Sequence, residues 1–176
     1  MIRKIIRVGD PVLRKVSKKI ERIDKKIINL VNDLTDTLKV QKDPEGVGLA
    51  ACQIGVNLRV FVILKGKKVV PIINPEIVEI SEETKKKRKA GEETLMEGCL
   101  SLPNYYSPLE RAKKIKVKYQ NLEGKEIIEE FTGFEAQIVQ HEIDHLKGEM
   151  FVDRILEQKE SIYKLNNGEW EEVELV

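Results

Sequence analysis

Gln140-His141-Glu142-Ile143-Asp144-His145-Leu146-Lys147-Gly148 is the stretch that decides how this chain is read. Its two histidines are the only 2 in the sequence, and they stand four residues apart. On an α-helix that spacing places both imidazoles one turn apart on a single face, where they can grip one metal ion. Glu142 then lands beside the ion, close enough to take a proton from water. The pattern fixes only three positions, so the plain alternative is a pair of solvated or core histidines. Concentrating every histidine of the chain here argues instead for a metallohydrolase.

Working outward, Thr132-Gly133-Phe134-Glu135 has the form of a capping box with Thr132 as N-cap, and Gly148 suits a C-cap. The predicted helix is therefore roughly fifteen residues long, a little above the usual length. At about 100° per residue, Phe134, Ile138, His141 and His145 fall within roughly 60° of one another. Val139, Ile143 and Leu146 form a second apolar stripe, and Gln137, Gln140, Asp144 and Lys147 take the remaining side. With so much of its circumference apolar or metal-binding, the helix is expected at the centre of the fold. Phe134 and Ile138 keep two readings, ordinary core or the wall of a substrate pocket.

Composition sets bounds. A length of 176 residues suits a single domain over 1–176 with a sizeable core. A net charge of +1 gives no argument for nucleic acid or an acidic partner. No secretory leader and no long apolar run are visible, so a soluble, cytoplasmic protein without membrane contact is expected. Cys52 and Cys99 are read as a ligand or a buried thiol rather than a disulfide in a reducing compartment.

The fold class expected is α+β, antiparallel strands around the central metal-binding helix, because strands cluster before that helix without βα alternation. Asp24 is expected to cap a helix carrying Ile27, Val31, Leu34 and Leu38, ending near Lys42-Asp43-Pro44. Strands are predicted over 58–64, 69–73 and 76–80, with Asn74-Pro75 separating the last two. Hairpins follow over 113–131, about Asn121-Leu122-Glu123-Gly124, and over 162–173, about Asn166-Asn167-Gly168.

Two further segments stand out. Gly46-Val47-Gly48-Leu49-Ala50-Ala51-Cys52-Gln53 is too apolar for a flexible loop, and its glycines suit close approach of a backbone or a ligand, or a tight turn. Glu97-Gly98-Cys99-Leu100-Ser101-Leu102-Pro103 offers Cys99 as a thiolate. A catalytic site built on two histidines wants a third ligand and one open position, and Cys99 is a candidate for that ligand.

Taken in order, Gly46–Gln53, Glu97–Ser101 and Gln140–His145 resemble the three motifs of the peptide deformylases, which remove the formyl group from the initiator methionine of nascent proteins. Leu109–Ile115 and Phe151–Arg154 are also similar to that family, so the resemblance covers nearly the whole chain. It implies Cys99, His141 and His145 as metal ligands and Glu142 as general acid and base. It further implies Gln53, through its amide, and Leu100, through its backbone N–H, as donors to the oxyanion. The ion implied is Fe2+, although Zn2+, Ni2+ or Co2+ suit the same donors. The substrate-binding set under this reading is Gly46, Val47, Gly48, Glu97, Gly98, Phe134 and Ile138. An arginine before the hairpin braces the metal helix in this pattern, which gives Arg111 and Asp144 a structural part. The expected partners are N-formylmethionyl nascent peptides, with transient ribosome contact and a monomeric state.

Cys52 departs from the pattern, standing where proline or threonine is commoner; a small buried residue is its expected role. Ser81–Glu93 is longer than in compact members, and its Lys85-Lys86-Lys87-Arg88-Lys89 run is read as a solvated loop, with ribosomal RNA contact as the alternative. Two rivals stand beside the deformylase reading. A zinc peptidase would use the same helix but needs a downstream His or Glu ligand, and no later His exists. A catalytically dead metal-binding module would need neither Glu142 nor Gln53.

Overall fold

Helix α1 (Lys25–Lys39) starts where the Asp24 carboxylate accepts hydrogen bonds from the Lys26 and Ile27 amides at 2.9 and 3.1 Å. That satisfies two of the donors a helix start leaves open. The computed structural model describes residues 1–42, 44–81 and 96–174. Beyond α1, β1 (Gly48–Ala50), β2 (Val60–Lys65) and β3 (Lys68–Ile80) follow, then β4 (Glu97–Cys99) and β5 (Leu102–Ser107). Next come β6 (Lys114–Gln120), β7 (Glu126–Thr132), α2 (Gly133–Lys147) and α3 (Phe151–Gln158), and the chain closes with β8 (Ile162–Asn166) and β9 (Glu169–Val173).

Among the described residues two antiparallel sheets result, one in the order β1-β2-β3-β6-β7 and one in the order β4-β5-β8-β9. Strand β2 shows how the larger sheet is held. Its Val60 and Val62 face α1, joining Val31, Leu34 and Leu38, while Phe61 and Ile63 face α2, joining Val139, Ile143 and Leu146. Side chains that alternate across a sheet buried on both faces give the continuous apolar run seen here. The α+β class and the central position of the metal-binding helix are as expected.

Two local expectations change. The strands predicted over 69–73 and 76–80 are one strand, β3, with a register irregularity between Ile73 and Glu76. Asn74 adopts φ 51°, a left-handed conformation asparagine tolerates, and its side chain bonds Ile20 N–H, Ile20 C=O and Gln120. Those bonds carry the strand through the bulge. Thr132 does precede α2, but its side chain makes no capping bond. Gly133 turns the chain from β7 into the helix at φ 57°, so the backbone path that returns an amide to the Thr132 hydroxyl is not made. Strands β4 and β5 and helix α3 were not foreseen as elements. Gly148 caps α2 as expected, at φ 78°, and the tail hairpin turns through Asn167 and Gly168, both with positive φ.

Candidate active site

Helix α2 is buried along almost its entire length, leaving Lys147 as its exposed residue near the C-terminal end. It delivers His141, Glu142 and His145 to one spot, and the end of β4 delivers Cys99. The candidate ligand atoms of Cys99, His141 and His145 all lie within 4.8 Å of one another, and Cys99 Sγ is 3.3 Å from His145 Nε2. Edges of a tetrahedron built on metal–sulfur and metal–nitrogen bonds are about 3.5 Å, so the spacing suits one ion. His141 Nδ1 donates to Glu97 Oε1 at 2.7 Å, which fixes the ring and leaves Nε2 for the ion. Two buried atoms here, Glu142 Oε2 and His145 Nδ1, find no hydrogen-bond partner among the described residues. Unpaired polar atoms at this depth are costly, and Glu142, which lines the open cavity, is placed for a bound group to complete it.

The electrostatics favour a cation. Burial pushes the Cys99 thiol up, but attraction to His145 and hydrogen bonding with both imidazoles outweigh it, leaving Cys99 well below the ordinary thiol range. Burial likewise opposes charge on His141, and its bonds to Cys99 and Glu97 overcome that, so its pKa stands well above normal. A divalent ion satisfies the same thiolate in place of an imidazole proton. Burial acts to raise Glu97 too, yet the bonds to His141 and Arg111 bring it down to about 2. Glu142 is pushed up to about 7, chiefly by burial. Charge from a bound ion acts on it in the opposite direction.

Behind the ligands runs a paired network. Arg111 clamps Glu97 with two bonds, Nε to Oε2 at 3.0 Å and Nη2 to Oε1 at 2.7 Å, and donates through Nη1 to Asp144 at 2.6 Å. Arg154 grips the same Asp144 through Nε and Nη2, at 3.0 and 2.9 Å. Gln140 binds the backbone of Ala112 with both ends of its amide. Arg111 thus ties β4 to α2 through Glu97 and Asp144, the bracing position that the family resemblance implied. Arg154 was not foreseen there, and its place in α3, an unpredicted helix, explains why.

A cavity of about 290 Å³ opens beside the ligands, lined by Val47, Gly48, Gly98, Leu100, Ile138 and Glu142 among others. Gly48 is required by contact: a Cβ there would lie 2.4 Å from Glu142 Oε1. Gln53 is held by the Ala50 amide, which donates to Oε1 at 2.8 Å, so its NH2 group faces Ser101 Oγ at 3.1 Å and Cys99 Sγ at 3.7 Å. The Leu100 carbonyl accepts from Arg7 at 2.7 Å. Phe134 lies at the cavity and is 46% exposed, while Ile138 is buried against it at 6%.

Two members of the expected substrate-binding set stand elsewhere in role or place. Glu97 lines the cavity, but its carboxylate is taken up by His141 and Arg111. Gly46 is absent from the cavity wall and packs on the end of α1, where a Cβ would meet Leu38 O at 2.9 Å. Cys52 is fully buried, with its thiol pushed up to about 12, mainly by burial, and directed at the His145 carbonyl. Asn104, Tyr105 and Tyr106 also line the cavity. No sequence signal marks them, because they sit on the unforeseen β5. The run Lys85–Lys89 lies outside the described residues.

Comparison with known proteins agrees with this geometry. A family model described as polypeptide deformylase matches residues 2–161. The peptide deformylase of Pseudothermotoga lettingae is 47% identical over 155 residues, covering 88% of this chain and 84% of that one. That of Dictyoglomus thermophilum is 42% identical over 158 residues, covering 90% and 95%. The crystal structure of peptide deformylase from Thermotoga maritima superposes with a TM-score of 0.77 at 42% identity, covering 88% of this chain and 97% of that one. Among the described residues no helix is long and apolar enough to cross a membrane.

Proposed function

The chain belongs to the polypeptide deformylase family, hydrolases that remove the N-formyl group from nascent polypeptides, and from that premise we propose which residues do the work. The observation that carries the assignment is the Cys99, His141 and His145 cluster with the Glu142 carboxylate set over an open cavity. Cys99, His141 and His145 hold one divalent ion, Fe2+ in the native enzyme; Zn2+, Ni2+ and Co2+ suit the same donors. The bound ion supplies Lewis-acid polarisation of the formyl oxygen and acidifies water. Glu142 takes the proton of the attacking water and hands it to the methionyl nitrogen as the C–N bond breaks, so formate and a free amine leave. Gln53 and the Leu100 backbone N–H donate to the oxygen that gains charge, a service worth about 10²–10³ in rate per donor.

Val47 and Ile138 enclose the methionine side chain, whose full burial contributes about 1.5–3 kcal/mol. The peptide beyond runs along Gly48, because β1 is an edge strand whose outer side can accept another. Residues 1–176 act as one catalytic unit, a cytoplasmic monomer that meets the ribosome transiently. The test is formate release from formyl-Met peptides by metal-loaded protein, set against internal cleavage of unformylated peptides. Formate release with no internal cleavage is expected, and Cys99→Ala should lose bound metal and activity together. Internal cleavage instead would mark a peptidase, and full metal content in Cys99→Ala would remove that ligand.

A further inference from the structure

The sheet β4-β5-β8-β9 has two unlike faces. On one, Cys99, Tyr105, Ile162 and Val173 pack against Phe151 and Ile155 of α3. Strand pairing puts Gly98, Tyr106, Tyr163, Leu165 and Trp170 on the other: Gly98 lies opposite Tyr106, Tyr106 opposite Tyr163, and Leu165 opposite Trp170. The missing side chain of Gly98 is what admits Tyr106, since a Cβ there would stand 2.6 Å from the tyrosine ring. Tyr106 in turn meets Trp170 edge-to-face, with ring centroids 5.3 Å apart and planes at 87°. Tyr106 lines the catalytic cavity, so an aromatic surface runs without a break from the cavity to β9. Trp170, the only Trp of the chain, remains 50% exposed at its outer end.

Resting on the deformylase reading, we propose that Trp170, backed by Tyr106, is a specificity-determining residue that receives an apolar or aromatic side chain at the third position of the formylated peptide. An extended peptide advances about 3.3 Å per residue, so with formyl-methionine in the cavity the third residue lies roughly 7 Å further out. The Trp170 ring stands 5.3 Å beyond that of Tyr106, which lines the cavity, a step of comparable size. Rigid rings suit the task, because they offer large contact area with little side-chain entropy to lose.

The experiment compares formyl-Met-Ala, formyl-Met-Ala-Ser and formyl-Met-Ala-Phe on metal-loaded wild type, Trp170→Ala and Trp170→Phe. Wild type should prefer Phe over Ser at the third position by about 3- to 10-fold in kcat/KM, expressed in KM, the range one aromatic contact supplies. Trp170→Ala should erase that preference while cleaving formyl-Met-Ala normally, and Trp170→Phe should restore most of it. Independently, Trp170 emission should shift when formyl-Met-Ala-Leu is titrated onto the slow Glu142→Gln variant, and not with formyl-Met-Ala. An equal preference in wild type and Trp170→Ala, no preference in wild type, or unmoved emission would overturn the proposal. No formate from formyl-Met-Ala would instead contradict the deformylase reading, and the emission titration would still decide the contact.

Discussion

The two sides of α2 are equally buried and oppositely finished. Towards the cavity, Glu142 Oε2 is left without a partner among the described residues. Towards the rear, Glu97, Arg111, Asp144 and Arg154 form a run in which each charge meets an opposite one. The rear is complete within the chain, whereas the front is completed by what it binds. A complete rear is what permits an incomplete front: ligands fixed from behind keep their geometry when the ion or substrate is absent.

The sharpest way to break this contrast is Glu142→Gln, which keeps the shape of the front and removes its base. Turnover should fall by about 10²–10⁴ while metal content and melting temperature hold; near-normal turnover would place the base elsewhere. Arg111→Ala attacks the rear and leaves Glu97 and Asp144 as buried charges short of a partner, at a cost of about 3–5 kcal/mol. For a domain this size each kcal/mol shifts Tm by about 2–4 °C. A melting curve unchanged beside abolished turnover would show that Arg111 serves chemistry rather than the brace. Gly48→Ala should press a methyl group on Glu142 without touching the rear, lowering kcat by up to about 10² with little change in Tm, because small misplacements of a reacting group cost rate steeply. Unaltered kcat would mean that the carboxylate has room to move aside.

The smallest effect belongs at the margin of the rear, where Asp153 accepts from Arg14 and caps the first turn of α3 through the Met150 amide at 2.7 Å. Although burial raises it, the bond from Arg14 leads a set of interactions that hold its pKa below normal. A depressed carboxylate stabilises the fold in full above the unfolded value of about 3.9 and loses that contribution as pH falls through the folded value. Asp153→Asn should therefore cost about 0.5 kcal/mol at pH 7, with the gap to wild type closing in acid. A gap that stays constant down to pH 2 would show that ionisation of Asp153 plays no part.

The front of α2 was far more legible in the sequence than the rear. His141, Glu142 and His145 lie in five consecutive residues and announce themselves by helical spacing. Asp24, Gly148 and the alternation in β6 and β7 are equally local signals. The Glu97, Arg111 and Arg154 run draws on three segments that no short window spans, so nothing local to Glu97 points to His141 rather than to substrate. Strand β5 was hidden because Pro103 interrupts its pattern and its partner β8 lies far along the chain. Asn74-Pro75 looked like an end to a strand, since only the fold supplies the Ile20 and Gln120 bonds that carry β3 past it.

The pairing of Tyr106 with Tyr163 also has a consequence in time. A ribosome adds roughly 5–20 residues each second, so the span between those two strands takes several seconds to make. Throughout that delay the segment carrying Cys99 exists without the tail hairpin that flanks it, and for much of it without His141 and His145. Of the three candidate ligands Cys99 is therefore the one that waits longest, as a thiol on an unfinished sheet. Synthesis in an oxidising setting would meet the enzyme at its most vulnerable then, before any metal could shield the sulfur.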